Sequence, residues 1–323
     1  MTDNDIQCRL EVYLELRRSL GFVVCYEAYA LKELLQYIQA KGLSWPIRCQ
    51  TVLDWIAAAI HCGPAGQRAR LIHARGFLRH LKASFPGTEV PPSGILAPVI
   101  RPKPHLYTPE ETAGLLQATH LLWPSGSLQQ LTPYTLIGLL ASTGLRPGES
   151  IHLALADVRL DAVPPHLEVR HTKFYKSRLV PLHPTTVEQL RRYLVERNRI
   201  LLSQPSKAFF LSGRGRPLSY TMLHRTFARI AGAAGVKKKD GQRGPCLHSF
   251  RHGFAVGRLL AWYRAGMDVS SWLPHLSVYL GHLNKEGFLS RICGVILVPG
   301  GVPSCDKGRF PWHRRYESRR IVW

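Results

Sequence analysis

The chain is poor in acidic residues: 21 Asp and Glu stand against 43 Lys and Arg, a net charge of +22 over 323 residues. So large an excess repels itself unless an anion neutralises it, and nucleic acid is the commonest such partner. Long apolar runs are missing too. No stretch approaches the ~18 residues of a membrane span, so no membrane partner is expected. The opening Met1-Thr2-Asp3-Asn4-Asp5 is polar and acidic, unlike a secretory signal. The 7 cysteines include no C-x-x-C pair. An odd, dispersed set argues against a disulfide framework or a zinc module and suits reduced thiols in the cytoplasm. Cys293, Cys305 and His313 fit no metal-ligand spacing, and no metal or other cofactor is expected.

What is present points to two domains, since the length and the 45% hydrophobic fraction support more than one core. Residues 1–86 read as helical. Leu10, Tyr13, Leu14 and Leu20 recur at helical spacing, as do Leu31, Leu34, Leu35 and Ile38. Thr51 is placed to cap a third helix. A fourth, over Gln67 to Lys82, turns Leu71, Ile72, Phe77 and Leu78 inward and leaves Arg68, Arg70 and Arg75 outside, where they suit a solvated face or a DNA backbone equally well. Residues 87–106 carry five prolines, directly after Pro86, and no period, which predicts a linker. It ends at Thr108-Pro109-Glu110-Glu111, a helix start with Thr at N-cap and Glu at N3.

The part that follows, 107–287, is mixed. Helices are predicted over 109–121, 131–143, 185–202, 219–234, 248–265 and 269–280. Between Asp157 and Pro181, two-residue alternation around Leu160, Leu167, Val169 and Val180 predicts a small antiparallel sheet, with Lys173 and Lys176 on its hairpin turn. The fold class expected is mainly α with that one small sheet. From about residue 288 to 323 the helical period fails altogether.

Five polar residues in this second part carry chemistry suited to one phosphodiester. Arg146, in Thr143-Gly144-Leu145-Arg146-Pro147-Gly148-Glu149, and Arg251, in His248-Ser249-Phe250-Arg251, offer planar forks that match two phosphate oxygens. His248 and Arg251, three apart at a helix start, share a face. Lys173 on its hairpin is placed for general-acid work on a leaving oxygen. His282 follows Tyr279-Leu280-Gly281. Singly, each has an ordinary structural reading: a surface arginine, a turn lysine, a capping histidine.

Their order and contexts resemble the tyrosine recombinases, also called phage integrases. That family carries T-G-L-R-x-x-E, then K-x-x-K-x-R-x-x-P-L, then H-x-x-R, then L-G-H. Here these are Thr143 to Glu149, Lys173 to Leu182, His248 to Arg251 and Leu280 to His282. The resemblance implies a helical core-binding domain and a mixed catalytic domain, both engaging duplex DNA, with homotetramers forming on paired sites. It implies that Arg146, Lys173, His248, Arg251 and His282 surround the scissile phosphate, with Arg68, Arg70, Arg75, Lys176 and Arg178 near the DNA backbone. A tyrosine would attack to leave a 3′-phosphotyrosyl bond, with neither ATP nor metal required.

Here the chain departs from the family. Nine residues after His282, where the nucleophilic tyrosine usually lies, stands Arg291. Tyr316 is the one tyrosine downstream of His282. Three readings follow: a tail over 288–323 that is out of frame, an expanded loop that brings Tyr316 in, or a protein that binds DNA without cutting it. The first fits the abrupt change of pattern near residue 288.

Overall fold

Leucine spacing decides the first helices. A computed structural model describes residues 3–99, 102–170, 177–201 and 206–281, and divides the chain into two compact units, Met1–Arg101 and Pro102–Trp323. The first unit is built of α1 (Asp3–Ser19), α2 (Cys25–Ala40), α3 (Cys49–Ala58) and α4 (Pro64–Ser84). Ile6, Leu10 and Leu14 stack at four-residue steps on α1 and meet Leu31, Leu34 and Ile38 of α2 and Phe77 and Leu78 of α4 in one core.

Three details differ from the expectation. Thr51 does not cap α3. The helix starts at Cys49, whose amide is bonded by the Glu89 carboxylate at 2.7 Å, so the cap comes from a distant segment. Ile72 is exposed, because the buried stripe of α4 runs through Leu71, Ala74, Phe77, Leu78 and Leu81, one step of 100° away. Arg70 is the largest correction. It is buried, forked onto Glu33 at 2.8 and 3.0 Å, with its guanidinium 4.0 Å from the Trp55 ring. A charge taken out of water needs such partners, and they commit this arginine to the interior rather than to a DNA backbone. Arg75 is half-buried, its Nε donating to the Pro91 carbonyl at 2.6 Å, while Arg68 stays exposed. Of the proline-rich stretch, Val90 and Leu96 pack on the first unit's core, and His105 is buried in the second unit.

The second unit opens with α5 (Pro109–Ala118). Its start is the reciprocal cap expected: the Glu111 amide donates to Thr108 Oγ1 at 3.1 Å, and the Thr108 amide to Glu111 Oε2 at 3.0 Å. After a 3₁₀ turn at Thr119–Leu121 comes α6 (Leu128–Thr143), buried on most sides and packed against the helices α8 (Pro184–Ile200) and α10 (His248–Arg264). Between α6 and α8 lie a short α7 (Pro147–Ile151) and the antiparallel sheet β1 (Val158–Arg159), β2 (His166–Val169) and β3 (Arg178–Pro181), in that order. Register pairs Leu167 with Val180 on the buried face and Val169 with Arg178 at the hairpin end. The helices α9 (Tyr220–Ala233) and α11 (Val269–Tyr279) complete the unit. No described helix is long and apolar enough to cross a membrane.

Candidate active site

The site is made where α6 and α11 end and α7, β3 and α10 begin. Gly144 closes α6 with φ +65° in the left-handed region. A Cβ there would meet Phe254 Cδ1 at 2.6 Å, so both the turn and the packing demand glycine. The turn delivers Arg146 as the N-cap of α7, where its amide donates to Glu149 Oε2 at 3.0 Å. The same carboxylate takes Arg146 Nη1 at 2.6 Å and both terminal nitrogens of Arg178, at 3.1 and 2.7 Å. Glu149 thus ties the start of α7 to the first residue of β3.

α10 presents the other members. Arg251 is buried, its Nη1 donating to the Gly144 carbonyl at 2.9 Å and its Nη2 to the Leu280 carbonyl. Arg146 Nη2 donates to the Gly281 carbonyl at 3.0 Å. Tyr279 is pinned by its hydroxyl on the Thr143 carbonyl at 3.0 Å and by stacking on Phe254. The ends of α6 and α11 are therefore laced together by the two arginines and one tyrosine. His248, half-buried at the start of α10, has its ring 4.9 Å from that of His252, edge to face.

Three guanidinium groups around one carboxylate leave the pocket strongly positive. Burial would raise the Glu149 carboxyl, but the hydrogen bonds and charge of Arg178, followed by those of Arg146, outweigh it and hold the pKa at about 2. His248 is pushed down to about 4, first by burial, then by His252, Arg251, Arg146 and Arg243. It is a neutral imidazole at pH 7. Arg251 falls to about 9, through burial and then the Arg146 charge, and stays protonated. A cationic cluster with hydrogen-bonded guanidinium donors and a neutral imidazole is suited to one phosphate group. A separate groove of about 330 Å³, between the start of α6, the 211–218 loop and α9, shares no residue with it.

Of the expected site residues, Arg146, His248 and Arg251 come together here. Lys173, Lys176, His282 and Tyr316 lie outside the described residues. Arg178, expected near the DNA backbone, is instead held on Glu149 with 13% of its side chain exposed. Glu149 itself was given no role from sequence. Its signal was there: an acid at N3 of a proline-started helix, three residues after an arginine. His252, one residue beyond Arg251, was also overlooked, and its position one turn after His248 was the available clue.

Comparison with known proteins identifies the family. The model of the phage integrase family matches residues 107–287. A protein of Sinorhizobium fredii named as an integrase/recombinase, y4rB, is 37% identical over 282 residues, 85% of this chain and 88% of its own length. The tyrosine recombinase XerD of Chlorobaculum tepidum is 31% identical over 220 residues, 66% of this chain and 68% of its own. Among solved structures, a lambda integrase dimer bound to a COC′ core site covers 98% of this chain and 80% of its own at 17% identity, with a TM-score of 0.63. The Tn1549 transposon integrase in complex with transposon right-end DNA covers 88% of this chain and 94% of its own at 17% identity, with a TM-score of 0.61. At such identities the two structures establish the shared fold, and with the match over 107–287 and the relative at 37% they place the chain: it belongs to the phage integrase family.

Proposed function

We propose that the protein is a DNA-binding, site-specific recombinase of the tyrosine type whose cleavage step is impaired in this chain. The observation that carries the binding half is the pocket itself. Arg146, His248 and Arg251 come from segments more than a hundred residues apart and converge with one compensating carboxylate. In the proposed complex, Arg146 and Arg251 exchange the carbonyls of Gly281 and Leu280 for the non-bridging oxygens of one phosphate. His248 adds a hydrogen bond, and by the family resemblance Lys173 and His282 are assigned to the same site, Lys173 as the acid that would protonate a departing 5′ oxygen were a nucleophile to attack. Duplex DNA is the partner, and a homotetramer on paired sites is the assembly; lambda integrase has been seen as a tetramer on a Holliday junction. A cytoplasmic location suits such a protein.

Impairment rests on Arg291. Attack on phosphorus needs a hydroxyl oxygen, and a guanidinium has none to give. The alternative, a DNA-binding protein of the same fold that never cuts, differs in origin but not in that step. Nicked duplexes that trap a cleaved intermediate test the proposal. Salt-sensitive binding without an adduct that survives denaturation is the expected result. An adduct that disappears in Tyr316→Phe would show that the chain retains its nucleophile and overturn the impairment.

A further inference from the structure

The segment before α10 carries charge that the pocket does not use. Residues 102–107 and 242–247 are laced side by side: Lys103 bridges Gln242 in parallel, the Arg243 amide donates to the Lys103 carbonyl at 2.7 Å, and Tyr107 Oη donates to the Cys246 carbonyl at 3.0 Å. Tyr107 also stacks on Phe250, ring centroids 4.4 Å apart. The backbone at Arg243 is thereby fixed five residues ahead of His248, on the rigid approach to the site. Arg243 is close enough that its charge helps to depress His248.

Most cations near the pocket already have a carboxylate. Arg146 and Arg178 share Glu149, and Lys239 is 3.4 Å from Glu111. Arg243 and Lys103 are exposed, and among the described residues neither forms an ion pair. Arg243 and, on the paired segment, Lys103 add two positive charges without a carboxylate partner to the approach to a cationic site, and their mutual repulsion is relieved when anions arrive. Each strand of duplex DNA carries one phosphate per about 3.4 Å of helix axis, so a bound phosphate always brings further phosphates close on either side of it.

We propose that Arg243 and Lys103 form a second phosphate grip, holding the DNA backbone next to the phosphate addressed by Arg146, His248 and Arg251. The grip rests on the reading of the pocket as a DNA site and adds to it a sequence-independent clamp. Its function is to fix the strand on the near side of the reacting phosphate, so that the pocket's donors meet it in one register.

Binding to a fluorescein-labelled duplex of arbitrary sequence, measured from about 50 to 200 mM salt, tests this. Arg243→Gln and Lys103→Gln should each flatten the plot of log Kobs against log salt by about 0.9, and the double variant by about 1.8, because each removes one phosphate contact. Arg243→Lys and Lys103→Arg should keep the wild-type slope. Thermal melts should not move, since the Arg243 amide that holds the backbone survives substitution. Arg192→Gln is the control: that arginine is exposed and already paired with Glu188. Steep wild-type binding with Gln variants equally steep would remove the grip and leave the DNA site standing. Equal flattening by Arg192→Gln would reduce the effect to net charge and overturn the grip as well. No salt-dependent binding by the wild type would instead sink the DNA reading itself.

Discussion

Glu149 shows how one residue organises a site. Its carboxylate accepts from the Arg146 amide, the Arg146 guanidinium and both ends of the Arg178 fork. Displacement from 4.5 to about 2 corresponds to about 3 kcal/mol at ~1.4 kcal/mol per unit. Because the folded value lies below the unfolded one, that stabilisation is complete above about pH 4.5 and is lost as pH falls towards 2. Urea denaturation across this window should therefore show a steep acid loss in the wild type. Glu149→Gln should be less stable at pH 7 and lack that part of the slope. An unchanged acid slope in the variant would place the ionic anchor elsewhere. Arg146, His248 and Arg251 were legible as a group because their residue types and order match one chemistry. The part played by Arg178 was not, since nothing in a linear reading brings β3 against α7. Arg70 was misread for a related reason: its partners Glu33 and Trp55 sit on other helices.

Elements were more legible than contacts. Helices α5, α6, α8, α9, α10 and α11 lie within a few residues of their expected spans, because caps and apolar periods are local signals. The Thr108–Glu111 cap and the Ser219 cap, whose hydroxyl accepts from the Met222 amide at 3.2 Å, are such signals. The start of α3 was missed because its cap, Glu89, lies 40 residues away. The end of α6 makes a prediction at this scale. Gly144→Ala puts a Cβ in the left-handed region, at ~1 kcal/mol, and drives it into the Phe254 ring. A loss of about 2 kcal/mol, and a fall in Tm of about 4–8 °C, is expected by calorimetry. Gly148→Ala, with open space around its position, should melt like the wild type. Equal melting temperatures for both variants would remove the Gly144 turn from its place in the site.

At the scale of the whole molecule, the +22 charge was the plainest signal of a polyanionic partner, and composition alone could not say where that partner binds. In the second unit three arginines, a neutral histidine and one glutamate close around the ends of α6 and α11, the place proposed above for that partner. If DNA enters there, its phosphate becomes the nearest strong anion to His248. An anion at that distance favours the protonated imidazole and must raise its pKa from about 4. The most direct measurement is an NMR titration of the His248 ring, assigned through His248→Gln, without and with saturating duplex. The account predicts a midpoint near 4 in the free protein and a clear upward shift in the complex. A midpoint that stays put while the duplex is bound would mean that the phosphate lies somewhere else.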